Sequence, residues 1–332
     1  MKNLEFIENY YLPSGRVFLF RTDDGYFIES TEMQDVTLDG KMHEEVRNTQ
    51  DPRIIWNHLV PRTEKWLMTV STQKGCMHNC KFCDVAPLKF GGNLTEEEIV
   101  NQFEFMLKYT PKIEGKSYKK LKLGFARMGE PAWNIDNVLR AMKAINAICF
   151  EERIKLLPCF NSIIPNTVSY SSEEIIQKVI DIKENYFNGF LHFQISANST
   201  DENVRHKLFN TKNVETLENI IKIINKEKIT NRTVTLNFIV MKGVPIVIDD
   251  LKKMGLNKEK FAVKLIPLNF TDNSKENNLD TKYNYSSYDE LKMYADEFKK
   301  EGIPVIYDAI AKCEEAGLCC GQLAKANYYN KR

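Results

Sequence analysis

The chain of 332 residues has no apolar run of the length a membrane-spanning helix needs, about 20 residues. Its opening, Met-Lys-Asn-Leu-Glu-Phe-Ile-Glu, is acidic and lacks the apolar stretch of a secretory signal. The expectation is therefore a cytoplasmic protein with no membrane partner. Charge excess is also missing: 46 basic residues face 45 acidic ones, a net charge of +1. No overall field pulls this chain toward nucleic acid. Cysteine is sparse, with 8 in the whole chain, so a disulfide framework is not what holds the fold together. No repeat of fixed period is visible. What remains, 43% hydrophobic and 27% charged, is the composition of a globular protein long enough for one large domain, or one domain with an appendage.

Against that sparse background, three cysteines are crowded together. Cys76, Cys80 and Cys83 lie in Gly75-Cys-Met-His-Asn-Cys-Lys-Phe-Cys, a C-x3-C-x2-C spacing. One short loop thus carries three thiolates, whereas a protein-bound [4Fe–4S] cluster usually takes four. Three leave one iron without a protein ligand, open to a small molecule. The competing reading is a zinc site, but zinc takes four ligands, often in two separated pairs. His78 would be the fourth, and it lies inside the loop among ligands it would crowd.

From about residue 66 short β-rich runs alternate with longer amphipathic ones. The candidate strands are 66–73, 121–126, 154–160, 190–196, 233–240 and 262–267. The candidate helices lie near 95–109, 134–149, 171–186, 201–227, 247–255 and 287–301. Asn134 and Ser171 are the expected N-caps of two of them. Alternation at this period implies parallel strands with right-handed crossovers, an α/β fold with functional residues at the C-terminal ends of the strands. Residues 1–60 read as a β extension: Val17–Thr22 and Tyr26–Ser30 flank Asp23-Asp24-Gly25, a hairpin packed on or beside the main domain. The main domain is expected over 61–310 and a C-terminal loop over 311–332. Residues 268–285 are polar and read as loop. The run Lys108, Lys112, Lys116, Lys119, Lys120 and Lys122 reads as a solvated connection between helix and strand.

The cysteine spacing, ended by an aromatic residue and Cys83, resembles that of the radical S-adenosylmethionine (radical SAM) enzymes. Six strand–helix units match their partial (β/α)6 barrel. The resemblance narrows to the RlmN/Cfr family of radical SAM RNA methyltransferases. Val70-Ser-Thr-Gln-Lys-Gly-Cys76 resembles V-S-S-Q-x-G-C, and Phe90 with Asn93-Leu94-Thr95 resembles F-x-R-N-L-T. Met128-Gly129-Glu130-Pro131 resembles M-G-E-P. Ser196-Ala197-Asn198 stands where the family has S-L-H. Leu265 to Asn269 resembles L-I-P-x-N, and Cys320-Gly321-Gln322-Leu323 matches C-G-Q-L.

The resemblance implies a [4Fe–4S] cluster on Cys76, Cys80 and Cys83, and SAM bound to its open iron. It implies a reducing partner such as flavodoxin or ferredoxin, and RNA or a small molecule as substrate. SAM would be held by Glu130 at its amino group, with Phe82, Gly129, Ser196, Ala197, Asn198 and Asn269 around it. Asn161 and Ser162 fit the same shell. Alone, Gly129 is a residue that permits close backbone approach, Glu130 suits a helix N-terminus, and the serine and asparagines suit turns. Cys320 matches the cysteine that carries a methyl group, and Glu29, in Asp-Gly-Tyr-Phe-Ile-Glu-Ser, matches a proposed proton acceptor. Alone, Cys320 reads as a buried thiol and Glu29 as a solvent-facing strand residue.

The chain also departs from this family. The second essential cysteine, seven residues before the cluster motif, is here Thr69, whose hydroxyl cannot exchange with a disulfide. Cys319 and Cys313 are the nearest thiols by sequence, while Cys149 and Cys159 read as core. Arg127 and Gly92 replace a family glycine and arginine, and too few residues precede the hairpin for the family's RNA-binding helical domain. Three readings follow: C-methylation of a nucleobase or small aromatic ring through Cys320, radical chemistry on a small metabolite or peptide without a methyl-cysteine, and a non-catalytic iron–sulfur protein.

Overall fold

The computed structural model describes residues 3–12, 14–35, 37–38, 41–42, 57–110, 115–269, 271–281, 288–307 and 319–329. Three strands open the chain: β1 (Leu4–Leu12), β2 (Gly15–Thr22) and β3 (Phe27–Gln34). A two-residue ladder follows, β4 (Thr37–Leu38) with β5 (Lys41–Met42). Then come β6 (Trp66–Thr69) and a second small ladder, β7 (Gln73–Lys74) with β8 (Gly92–Asn93). From there helices and strands alternate: α1 (Glu96–Tyr109), β9 (Tyr118–Gly124), α2 (Ile135–Glu151), β10 (Ile154–Ser162), α3 (Ser172–Asn185) and β11 (His192–Ser196). The alternation continues with α4 (Glu202–Phe209), α5 (Leu217–Lys226), β12 (Val234–Val240), α6 (Ile248–Lys253) and β13 (Phe261–Pro267). The chain ends on α7 (Asp272–Glu276), α8 (Tyr288–Lys300), β14 (Val305–Tyr307) and α9 (Gln322–Tyr329).

One sheet of ten strands runs in the order β1-β2-β3-β6-β9-β10-β11-β12-β13-β14. From β6 onward every pairing is parallel, so the six expected strands are joined by a seventh, β14. The architecture is the partial barrel. The expected N-terminal hairpin is present as β2–β3, but it does not sit beside the barrel. It gains β1 as a third strand, and β3 pairs antiparallel with β6, so the extension continues the barrel's own sheet.

Each parallel strand has two different faces. On the helix side, Leu121, Leu123, Phe193, Ile195, Leu236, Phe238, Val263 and Leu265 are fully buried. They join one core with Ile99, Phe103, Val138, Met142, Ile176, Val179, Ile220 and Ile221 from the helices. On the concave side Thr69, Lys122, Asn161, Gln194, Ser196 and Lys264 are only half-buried. Alternation of this kind, core outward and polar groups inward, leaves the barrel's interior accessible.

Local chemistry sets most element ends. Thr95 and Ser171 close capping boxes with Glu98 and Glu174 at the starts of α1 and α3. Asn134 behaves differently from its expected role. It is the residue before α2 but its side chain makes no cap, because Nδ2 donates instead to Thr72 O at 2.8 Å and Leu94 O at 2.7 Å. The expected helix over 201–227 is two helices, broken where Asn210 takes a left-handed conformation with φ 53°. The expected loop at 268–285 contains α7, started by the Thr271 side chain accepting from Ser274 N. The lysine run is corrected as well: Lys119 is exposed, but Lys120 and Lys122 stand on β9, alternating with buried Leu121 and Leu123, and so point into the barrel. Lys112 lies outside the described residues.

Trp66 is the joint between extension and barrel. It is fully buried, its ring lies 5.1 Å from that of Tyr118, and its Nε1 donates to Glu32 Oε1 at 2.6 Å. Trp66→Ala is expected to cost about 3–5 kcal/mol in urea unfolding. A loss under about 1 kcal/mol would show that this strand pair is not where the two parts are held.

Candidate active site

The cysteine loop leaves the sheet just after β6 and returns at β8. Gly75 makes this possible: its φ is +71°, and a Cβ there would stand 2.7 Å from Lys89 O. Gln73 binds the loop to its surroundings. Its Oε1 accepts from Glu130 N at 2.9 Å and Met77 N at 3.4 Å, and its Nε2 donates to Asn93 Oδ1 at 2.7 Å. Gly129, with φ +99°, is required here because a Cβ would meet the Gln73 side chain at 2.6 Å. The close approach expected of Gly129 is thus to Gln73.

Cys76, Cys80 and Cys83 are free thiols on this loop. Burial pushes all three thiols up, Cys83 to about 12, and neighbouring sulfur charge pushes in the same direction. Such a set stays protonated unless cations accept it, and coordination to iron is what deprotonates a thiol outright. Among the described residues no three His, Cys, Asp or Glu side chains gather around one ion-sized position. His78 is not a fourth ligand in waiting. Its Nε2 lies 2.8 Å from Trp133 Nε1, and an indole N–H can only donate. Nε2 is therefore the acceptor and Nδ1 carries the proton, so neither nitrogen is free. Burial holds the His78 ring neutral, down to about 4.

Above the strand ends lies a row of polar groups. Glu130 is buried, and its carboxylate accepts from Ala132 N and Ile163 N, both at 3.1 Å. Burial raises it to about 7 despite those bonds and Ser162, so it lacks a cation. Asn161 Oδ1, Asn198 Nδ2 and Asn237 Oδ1 are buried atoms with no partner, on three successive strand ends. Asn198 has φ 59°, and its Oδ1 accepts from Ile239 N at 3.3 Å. Ser196 is opposite Asn237 in the β11–β12 register. The backbone of Ala197 donates to Asn237 O at 2.9 Å. A buried acid awaiting a cation, beside orphaned amide atoms, fits the ammonium and hydrogen-bonding edges of SAM. Phe82 packs on Phe209 with ring centroids 6.1 Å apart, while its carbonyl accepts from Thr271. Asn269 also serves α7, its carbonyl accepting from Thr271 N at 2.8 Å.

The C-terminal motif docks on the same loop. Gly321 has φ +86°, and a Cβ there would stand 2.6 Å from Val85. Gln322 Oε1 accepts from Cys319 N at 2.7 Å, and its Nε2 donates to Asp84 Oδ2 at 2.7 Å. Asp84, next to Cys83, also accepts from Asn273 N at 2.9 Å. Cys320 is thereby held beside the cluster loop, close enough for its sulfur to act on Cys83.

Glu29 is fully buried, which overturns the solvent-facing reading. Its Oε2 takes Arg127 Nε at 2.8 Å, Arg127 Nη2 at 2.6 Å and Gly321 N at 3.1 Å, and its Oε1 takes Ala324 N at 2.8 Å. Arg127 reaches on to the thiol segment, with Nη1 3.6 Å from Cys320 Sγ and Nη2 3.2 Å from Cys319 O. The residue that departs from the family pattern thus points its guanidinium at Cys320. The Thr69 hydroxyl shares a hydrogen bond with that of Thr31, its Oγ1 2.6 Å from Thr31 Oγ1. Cys319 is buried next to Cys320, Cys149 is in the core, and Cys313 lies outside the described residues. Cys159 is buried but on the concave side, its Sγ 3.8 Å from His192 Nδ1.

Gln73, Asp84, Arg127 and Asn237 were not among the expected site residues. Gln73 stands inside the Val70–Cys76 motif, Arg127 among the departures from the family, and Asn237 is a lone amide inside the apolar run Val234–Val240; nothing in the sequence marked Asp84.

Residues 70–254 match the family model of the radical SAM superfamily. The chain is 25% identical over 227 residues to "Probable dual-specificity RNA methyltransferase RlmN" of Aquifex aeolicus, covering 67% of this chain and 61% of that protein. It is 26% identical over 323 residues to "Dual-specificity RNA methyltransferase RlmN" of Campylobacter hominis, covering 96% of this chain and 80% of that one. Of the Helicobacter hepaticus RlmN the chain spans 63%. A radical SAM methyltransferase from Sphaerobacter thermophilus has the same fold, with TM-score 0.65, 18% identity, 97% of this chain and 81% of that one covered.

Replacing Cys76, Cys80 or Cys83 by Ala is expected to lower iron and sulfide content after anaerobic reconstitution. His78→Ala is expected to leave both unchanged. A zinc site would instead retain zinc, and lose it in His78→Ala as in the cysteine variants. The ion pair gives a second expectation: Glu29→Gln or Arg127→Met alone costs about 3–5 kcal/mol, because each strands a buried charge. The double variant costs less than the sum, as a double-mutant cycle in urea would read.

Proposed function

The chain belongs to the radical SAM superfamily, and from that premise we propose that it is a methyltransferase of the RlmN/Cfr type, with Cys320 as methyl carrier. Cys76, Cys80 and Cys83 would hold the [4Fe–4S] cluster, and Glu130 with Asn161, Ser162, Ser196, Asn198, Asn237 and Asn269 would hold SAM. Together these cofactors supply reductive cleavage of a sulfonium to a 5′-deoxyadenosyl radical, which requires an electron donor such as flavodoxin or ferredoxin. The protein's own part is to orient and to exclude water. Glu130 places one carboxylate in a buried position where only a cation is well received. Gln73 fixes Glu130 and the loop of thiols in one arrangement.

The observation that carries the methyl-carrier reading is the docking of Cys320. Gly321, Gln322 and Glu29 hold its segment against the residues that follow Cys83. The Arg127 N–H facing its sulfur stabilises negative charge there, as a nucleophilic thiol needs. Methyl transfer would form one S–C bond at Cys320 as the methyl–sulfonium bond of SAM breaks, leaving S-adenosylhomocysteine, with the thiol proton released to solvent. Glu29, tied to Arg127 and to two backbone N–H groups, is read as the group that holds Arg127 and the thiol segment in place, with proton acceptance at most secondary. The substrate is a nucleobase or a small aromatic ring. No described helix is long and apolar enough to cross a membrane.

One observation favours the second reading, radical chemistry without a methyl-cysteine. Thr69 occupies the place of the family's other cysteine and is bonded to Thr31, so it offers no thiol to resolve an adduct.

Mass analysis of the Cys320 peptide after anaerobic incubation with SAM separates the two. S-methylcysteine at Cys320, with both S-adenosylhomocysteine and 5′-deoxyadenosine formed, is the expected result. 5′-Deoxyadenosine alone, with Cys320 unmodified, would replace this reading by the second. No SAM cleavage at all would leave the non-catalytic alternative.

A further inference from the structure

A cavity of about 590 Å³ opens beside the cluster loop, and none of the residues proposed to hold SAM lines it. That is room enough for a planar organic ring system. Its walls come from three segments: Met77 and Phe90 of the loop, Trp133 just before α2 with Arg140 on it, and Val168 with Tyr170 in the connection after β10. Three of these six carry aromatic rings. Met77 and Val168 are apolar yet face water, 43% and 94% exposed. A lone exposed apolar residue needs no explanation, but these two border one opening. The charges around it are matched. Arg140 Nε is paired with Glu96 at 2.9 Å, and Asp136, also on the wall, takes Lys178 at 3.1 Å and the Tyr170 hydroxyl at 2.8 Å. With its ions already answered, the cavity suits an aromatic ring better than a charged ligand.

A short chain of contacts joins this cavity to the thiols. Met77 follows Cys76 directly in the sequence. Trp133 donates its Nε1–H to His78 Nε2 at 2.8 Å. The His78 backbone N–H in turn points at Cys76 Sγ, 3.4 Å away. An indole on the cavity wall is thus linked through one residue and two hydrogen bonds to the sulfur of an expected cluster ligand. Electrons cross proteins by tunnelling, which covalent and hydrogen-bonded links carry better than gaps do. The Trp133 bond also keeps His78 from binding a metal, but that role needs no cavity beside the indole.

We propose that this cavity is the docking point of the electron donor, and that the donor is a flavoprotein presenting the edge of its flavin ring to Trp133. A flavin is favoured over an iron–sulfur donor because the rings of Phe90, Trp133 and Tyr170 offer stacking surface, and the matched charges offer no field to hold a strongly charged partner. Redox partners bury little area, under about 1,200 Å², so one cavity with two apolar residues at its rim is contact enough. The flavin, as its anionic hydroquinone, gives up one electron and becomes the neutral semiquinone. That electron passes by Trp133 and His78 to the cluster, which is reduced by one, and no proton moves. The inference rests on the radical reading above, since only a cluster enzyme needs this electron.

Titration of the anaerobically reconstituted chain with an FMN-loaded flavodoxin, with no SAM present, tests the site. Saturable quenching of tryptophan emission is expected, largely lost in Trp133→Phe. Val168→Asp and Val168→Arg are each expected to weaken binding at least tenfold, because either charge would be buried in an apolar contact. Both are expected to melt with the parent chain, since Val168 faces water. Reduction of the cluster by flavodoxin hydroquinone, read from its visible absorbance, is expected to slow at least tenfold in both. Dithionite, a small reagent that needs no docking, is expected to reduce parent and variants alike. Flavodoxin binding that is absent, or unchanged in both Val168 variants, would overturn the site. A ferredoxin bound as tightly, and weakened as much by the same variants, would overturn the flavin assignment. Displacement of the flavodoxin by a short oligoribonucleotide would give this face to RNA instead. Binding is read without SAM and without turnover, so failure here leaves the radical reading standing, and failure of SAM cleavage leaves this site standing.

Discussion

A single buried carboxylate, that of Glu29, ties together segments far apart in the sequence. Taking it out of water is expensive, and the cost is met only because four N–H groups converge on it. Two belong to Arg127, after β9, and two to the backbone of residues 321 and 324. The carboxylate itself belongs to the N-terminal extension. If any of the three segments shifts, an unpaired charge is left in the interior. Because the penalty is shared, the N-terminal strands, the barrel and the C-terminal thiol segment are fixed relative to one another. The position of Cys320 is a consequence of that constraint.

A second constraint governs the cluster loop. Its thiols are half-buried and repel one another as thiolates, so the loop is a poor resting place for charge. Its shape is maintained by hydrogen bonds: Gln73 to Glu130 and Asn93, Trp133 to His78, and the Asp84 carboxylate to α7 and Gln322. These contacts consume the polar groups that might otherwise compete as ligands. His78 is the clearest case, since the indole of Trp133 takes its one basic nitrogen. The loop would thus offer a cluster its three thiols and not the His78 imidazole.

The barrel separates two kinds of chemistry along one face. Near the strand ends, unpartnered amides and a buried acid await a molecule that is cationic and rich in hydrogen-bonding edges. On the floor stand the basic side chains of Lys122 and Lys264. A two-residue period places both on the concave side, because Lys122 and Lys264 share parity with Gly124 and Ile266, while the intervening leucines and valines go to the helices.

The sequence alone determined the thiol spacing and the strand–helix alternation, because both are local: ligands within eight residues of each other, and periodicities of 2.0 and 3.6 residues. It also showed the hairpin at β2–β3 and the N-cap of α3 at Ser171, whose hydrogen bond spans three residues. Where two elements had to be weighed against each other, it misled. The Asn210 break in 201–227, the helix within 268–285 and the inward direction of Lys120 and Lys122 depend on what packs against each segment. Tertiary structure alone decided that Glu29 is buried, that Arg127 faces Cys320 and that Asp84 receives Gln322. Those partners lie 98 to 295 residues apart for Glu29 and 238 for Gln322 and Asp84, and no periodicity reaches across such distances. Desolvation selects these pairs, and desolvation exists only once the chain has closed around them.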